Sequence, residues 1–218
     1  LSELFMDRLN SEFDGKLDLA IQIFKNEYHK PFLHQLVSSQ LDMDRLDYLR
    51  RDSFFTGVSE GAIGSTRIIK MLDVVNGNLA VEAKGIYSIE KFLIARRLMY
   101  WQVYLHKTSL AAEEMLVRIL KRAKYLADKG EDLFGTPALR FKSSEKVVGD
   151  KDALEVFADL DDNDIMVSIK VWADHSDKVL SYLCKAMKDR HLFKIEIGKK
   201  PFPKEYVANI RKNVKSKL

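Results

Sequence analysis

Apolar residues recur at helical spacing through most of the first 130 positions. Leu1, Leu4, Phe5 and Leu9 share one face, and after Gly15 the pattern resumes with Leu19, Ala20, Ile23 and Phe24 over Leu17–Tyr28. Pro31 suits the first turn of a third helix, where its missing N–H goes unneeded. That helix presents Phe32, Leu33, Leu36 and Val37 and is closed by Ser38 and Ser39. His34, set among these apolar neighbours, reads as a packed, hydrogen-bonded histidine. A charged helix starts near Asp42, Phe54 and Phe55 offer bulk to lock it down, and Gly57 and Gly61 break the chain after it. Thr66–Leu72 reads as a short helix. The run DVVNGNLAVE at 73–82 then predicts a hairpin, because Asn76-Gly77 is a strong two-residue turn signal between Val74, Val75, Leu79 and Val81.

Ser88 is the expected N-cap of a long helix running to about Lys107. Ile94, Leu98, Trp101 and Leu105 make an apolar stripe along it, and Arg96, Tyr100, Tyr104 and Lys107 form a polar-tipped row opposite. A helix over Ser109–Leu126 follows, with Ala112, Met115, Leu116, Ile119 and Ala123 inward. Residues 129–152 hold three glycines, one proline and few apolar positions in register, which marks a linker. Beyond it come short helices at Ala153–Phe157, Ile165–Ala173 and Lys178–Arg190, a strand at Leu192–Ile197 and a basic helix from about Pro203. The expectation is a mainly α protein with a small β-hairpin. It divides into a helical domain over 1–128, a linker or flexible loop over 129–152 and a smaller α+β part over 153–218.

Composition narrows this picture little. A chain of 218 residues that is 46% hydrophobic and 31% charged is ordinary for a helix-rich globular protein. No apolar run approaches the roughly 18 residues of a membrane span and no leader is visible, so the expected setting is cytoplasmic, away from membranes. Cys184, the single cysteine, excludes an internal disulfide and reads as a buried, inert thiol. The formal charge of +4 sits in the tail: from Lys194 onward eight Lys and Arg face two Glu. Such a tail can touch nucleic acid or an anionic surface, but without interleaved aromatics it reads as the solvated side of the last helix. Asp159, Asp161 and Asn163 lack the glycine and the final glutamate of a calcium loop and fit N-capping of the helix at Ile165. The chain holds no Gly-rich phosphate loop, no paired Cys-x-x-Cys and no G-x-S-x-G elbow.

The stretch with the most chemistry is Gln40–Asp52, QLDMDRLDYLRRD. On a helix beginning near Asp42, Asp44, Tyr48 and Asp52 fall at i, i+4 and i+8, stacked with about 5–6 Å between neighbours. A carboxylate, a phenol and a second carboxylate flanked by Arg45 and Arg51 can hold a metal ion at one end and a hydroxylated, phosphorylated ligand along the rest. A capped surface helix laced with charge pairs accounts for the same spacing, and spacing alone favours it.

The segment FLHQLVSSQLDMDRLDYLRRD at 32–52, followed by SFFTGV, resembles the last motif of the HD-domain phosphohydrolases of the dNTP triphosphohydrolase, dGTPase-like branch. That family holds its metal with a pattern H…HD…D, the final D lying in a D-x-D-[KR]-x-D-Y-x-x-R-D context. Asp42, Asp44, Arg45, Asp47, Tyr48, Arg51 and Asp52 match it. The resemblance implies an HD-like helical core, with Asp44 as the last metal ligand, Arg45 on a phosphate, and Tyr48 and Asp52 facing the sugar. In relatives a helix ending Y-x-H-K supplies further pocket residues, and Tyr104, Leu105, His106 and Lys107 match that ending. By this match Arg96, Tyr100 and Tyr104 clasp base and phosphates, and His106 and Lys107 fall near a regulatory nucleotide site of some relatives.

The implied activity is metal-dependent hydrolysis of a nucleotide phosphate ester by a homo-oligomer, with the divalent ion (Mn, Mg, Fe, Ni or Zn) left open. The H…HD half is missing: none of the five histidines, at 29, 34, 106, 175 and 191, is followed by Asp. The chain therefore reads as the C-terminal part of a longer protein, with no catalytic residue of its own and no activity by itself. The resemblance covers Phe32 to about Lys107. The alternative is a non-catalytic helical module that binds a nucleotide or a protein.

Overall fold

A computed structural model describes residues 1–133, 135, 151–198 and 200–216, for 151–153 the backbone alone. In chain order its helices are α1 (Ser2–Glu12), α2 (Asp18–Phe24), α3 (Pro31–Val37), α4 (Met43–Thr56), α5 (Ser65–Lys70), α6 (Ile86–Met99), α7 (Lys107–Asp128), α8 (Lys151–Ala158), α9 (Asp162–Trp172), α10 (Lys178–Lys188) and α11 (Lys204–Lys215). Strands β1 (Leu72–Val75) and β2 (Asn78–Val81) form an antiparallel pair between α5 and α6. The architecture is the HD-domain-like helical fold with a small hairpin that the sequence predicts. The described residues form two compact units, α1 to His106 with α8 in one, and α7 with α9 to α11 in the other. The linker expected at 129–152 lies mostly outside the described residues.

The core of the first unit joins Leu46 and Leu49 of α4, Ile68 of α5, and Phe92 and Met99 of α6. Helix α4 has defined ends. The Asp42 carboxylate accepts from the Arg45 N–H at 2.8 Å as an N-cap, and Gly57 closes the helix in the left-handed region at φ 71°. The turn Ser59–Gly61 is wedged against α4 and α6. A Cβ on Gly61 would lie 2.7 Å from the Ser53 Cβ and 2.8 Å from the Met99 Sδ, so only glycine fits. The hairpin turns at Asn76 (φ 51°) and Gly77 (φ 79°), both left-handed, as a two-residue turn matching strand twist requires. Gln35 of α3 clips the hairpin in place, its Oε1 accepting from the Leu79 N–H at 2.6 Å and its Nε2 donating to the Asn78 Oδ1 at 3.0 Å.

Several expectations change. Helix α6 begins at Ile86, with Ser88 inside its first turn instead of capping it. Its buried positions are Phe92, Ala95 and Met99, while Ile94 and Trp101 are each 59% exposed. The expected apolar stripe thus faces away from the core, because α6 is apolar on more than one side and periodicity alone does not select the packed one. Phe54 and Phe55 do not lock α4 down. They are 80% and 78% exposed and pack edge-on against each other, since Leu46, Leu49 and Ser53 occupy the inner face. Leu192–Ile197 forms no strand, for among the described residues it has no neighbouring strand to complete its backbone hydrogen bonds. His34 packs as expected, its Nδ1 3.1 Å from the Ile23 carbonyl oxygen.

In the second unit α10 packs against α7 and α9. Leu180, Leu183 and Cys184 of α10 are buried together with Met115 and Ile119 of α7 and Ile169 and Trp172 of α9. Burial pushes the Cys184 thiol up to about 12, which keeps it protonated and inert. Arg122 of α7 grips Asp177 with two bonds of 3.1 and 2.5 Å, while that carboxylate also caps α10 by accepting from the Leu180 N–H at 2.8 Å. Among the described residues no helix is long and apolar enough to cross a membrane.

Candidate functional site

The row on α4 and the row that starts on α6 at Arg96 and continues through Tyr100 and Tyr104 meet. The Tyr104 hydroxyl donates to the Asp52 Oδ2 at 2.6 Å, joining residues 52 positions apart. Around that bond the Tyr104 ring stands edge-on to Tyr48, with centroids 6.1 Å apart, and to Tyr100 at 5.1 Å. Such tilted pairs place a positive ring edge against a negative ring face. The Arg96 guanidinium lies over the Tyr100 ring at 5.8 Å and donates to the Gln40 Oε1 at 2.9 Å. Arg45 borders the cluster from the other end. Its Nε donates to the Ser39 carbonyl oxygen at 2.9 Å and lies 3.1 Å from the Asp42 Oδ2, and Tyr48 follows three residues along α4.

Tyr104 reaches Asp52 from a π-helical turn, Tyr100–Tyr104, in which the Leu105 N–H bonds back five residues to the Tyr100 carbonyl at 2.7 Å. Turns of this kind occur often at functional sites. Burial, and then the bond to the Asp52 carboxylate, push the Tyr104 phenol well above its ordinary range, so it remains a donor throughout the neutral range.

Asp44 continues the row of Tyr48 and Asp52 but is exposed. Arg51 pairs with Asp47 at 2.6 Å on the solvated side of α4, an exposed i,i+4 contact of little energetic weight. His106 and Lys107 are exposed just beyond the π turn. The structure therefore brings Arg45, Tyr48, Asp52, Arg96, Tyr100 and Tyr104 into one cluster of phenols, guanidinium groups and a carboxylate. Asp42, which orients Arg45, reads from sequence as the helix start and a motif position, whereas Gln40, which orients Arg96, has no role assigned there.

As a metal site the chain's own donors fall short. Among the described residues no three His, Cys, Asp or Glu side chains gather, and Asp44 is one carboxylate where such centres use three or four protein ligands. What the cluster can do is bind. Guanidinium groups take phosphate oxygens, and phenol rings and hydroxyls take a flat ring and a sugar.

The chain is similar to several known proteins. A family model described as HD associated region matches residues 63–132. The crystal structure of a phosphohydrolase from Bacteroides thetaiotaomicron superposes with a TM-score of 0.93 at 56% identity, covering 98% of this chain and 54% of that one. The uncharacterised protein YwfO of Bacillus subtilis is 36% identical over 81% of this chain and 40% of its own length. A Dictyostelium discoideum homologue of the deoxynucleoside triphosphate triphosphohydrolase SAMHD1 is 26% identical over 58% of this chain and 26% of its own length. The chain thus spans about half or less of these relatives. Its matches comprise the HD associated region over residues 63–132 and relatives that include a phosphohydrolase.

Proposed function

We propose that this chain supplies the nucleotide-facing part of a metal-dependent phosphohydrolase of the dNTP triphosphohydrolase type, working as a homo-oligomer. The observation that carries the reading is the Tyr104–Asp52 bond, since it draws two rows of binding groups, far apart in sequence, into one cluster. Arg45 and Arg96 stand at its ends for phosphate groups, and Tyr48, Tyr100 and Tyr104 between them for base and sugar. Asp44, at the open end of the α4 row, is the metal ligand this chain contributes, with the remaining ligands coming from outside it. The SAMHD1 homologue among its relatives supports a deoxynucleoside triphosphate as substrate.

Isothermal titration of the chain with dNTPs, beside a phosphate-release assay, tests the proposal. Expected are weak nucleotide binding that Arg96→Ala weakens further, by about 1–3 kcal/mol for the loss of a charged hydrogen bond, and no hydrolysis by the chain alone. Unchanged affinity in the Arg96 variant, or turnover without added ligands, would remove the proposal.

A further inference from the structure

Helix α11 is tied to its unit by the Tyr206 hydroxyl, which donates to the Glu196 Oε2 at 2.7 Å. Its 12 residues contain none that is buried, yet its surface is sharply divided. At 3.6 residues per turn, Tyr206, Ile210 and Val214 share one face with Val207 at its edge, and Arg211, Lys204 and Lys215 line up beside that edge. Lys212, Glu205, Asn209 and Asn213 occupy the remaining side. Tyr206, Ile210 and Val214 are 40%, 44% and 51% exposed, and Phe202, just before the helix, stacks on the Tyr206 ring at 5.8 Å with an interplanar angle of 27°. Beside the apolar face an open trough of about 670 Å³ is floored by Val207 and Ala208 and walled by Lys204, Arg211 and Lys215. The aromatics that sequence reading did not find in the basic tail are thus present, set against its cations.

We propose that α11 is a docking helix for an anionic phospholipid surface, lying in the interface with Phe202, Tyr206, Ile210 and Val214 inserted and Lys204, Arg211 and Lys215 on the lipid phosphates. The choice of partner follows from satisfying both faces at once. A nucleic acid strand would neutralise the cations and leave Ile210 and Val214 in water. A second copy of α11 laid antiparallel on the apolar face would bring the Arg211 rows of two molecules together, like charge against like. An anionic bilayer surface accepts apolar side chains below the level of its phosphates and cations at that level. Lysine and arginine stems reach from one to the other, while the Tyr206 hydroxyl stays on the Glu196 carboxylate. The neutral side with Glu205 stays in water.

Flotation of the full chain with vesicles tests this. On phosphatidylcholine vesicles containing phosphatidylglycerol the chain floats, and on phosphatidylcholine alone it stays behind; added salt weakens the association because exposed charges are screened. R211E/K215E and, separately, I210D each lower the floated fraction about tenfold or more. Circular dichroism serves as the folding control, and with no α11 residue buried both variants keep the wild-type spectrum. Four results would overturn the proposal: no flotation on anionic vesicles, equal flotation on neutral ones, an I210D variant that floats like the wild type, or a chain that dimerises through α11 in place of binding vesicles. A single-stranded oligonucleotide that binds the I210D variant as tightly as the wild type, in a chain that leaves vesicles alone, would assign the face to nucleic acid instead.

Discussion

Tyr104 is the residue on which the two rows depend, and its proton is what makes the contact possible. An unfolded tyrosine titrates near 10, whereas burial and the Asp52 carboxylate raise the folded value well above that. The sign follows: the contribution is fully present below about pH 10 and is lost only as pH rises through the folded value. Tyr104→Phe keeps the ring packing on Tyr48 and Tyr100 but strands the Asp52 carboxylate. The variant should lose about 0.5–1.5 kcal/mol of stability and weaken nucleotide binding, and absorbance titration of its phenols should lack a late-titrating group present in the wild type. That the rows exist was legible because α-helical spacing fixes which residues of one helix share a face. That they meet, and that Gln40 holds Arg96, depends on contacts between positions 56 apart, which spacing within one helix does not encode. The π turn at Tyr100–Tyr104 left no trace in the spacing either.

Among the elements, α4 and the hairpin followed the sequence closely because their ends are written in local chemistry: an aspartate N-cap, a glycine C-cap, an Asn-Gly turn. Helix α6 did not, since a helix apolar on several sides buries whichever face its neighbours cover. Two glycines at the end of α4 separate the two ways such an element is held. Gly57→Ala meets no atom within 4 Å but must hold φ 71°, a torsional cost of about 1 kcal/mol. Gly61→Ala drives a Cβ into Ser53 and Met99 at under 3 Å and should cost about 1–3 kcal/mol as overpacking, with α4 and α6 pushed apart and the Tyr104–Asp52 bond loosened. Denaturant unfolding should show both losses, and nucleotide titration should show the second variant alone losing affinity.

In the other unit Arg122 holds the Asp177 carboxyl down to about 2. This pair stabilises above the unfolded value near 4 and stops doing so as pH falls through about 2. Asp177→Asn should therefore cost about 1–3 kcal/mol at neutral pH, and urea unfolding should show its deficit shrinking as pH drops from about 4 toward 2.

At the scale of the whole molecule, the proposed function divides the labour: this chain would offer many groups to a nucleotide and one, Asp44, to a metal. Asp44 is exposed on α4 and makes no hydrogen bond or ion pair among the described residues, so its removal takes little from the fold. Surface substitutions of that kind usually shift stability by no more than about 0.5 kcal/mol. The chain matches 54% of the length of the Bacteroides phosphohydrolase, and a protein joining it to an H…HD segment is where the proposed reaction should be measured. There Asp44→Ala should abolish metal-dependent release of phosphate from dNTPs while leaving the melting temperature without metal nearly unchanged. Arg45→Ala should act differently. Its guanidinium bonds Ser39 and Asp42 as well as facing the cluster, so metal content should persist while nucleotide affinity falls and the start of α4 loosens. Metal analysis, calorimetric titration and phosphate release on the two variants separate the roles. An Asp44→Ala protein that keeps both its metal and its rate would show that the α4 row binds a ligand for some purpose other than this hydrolysis.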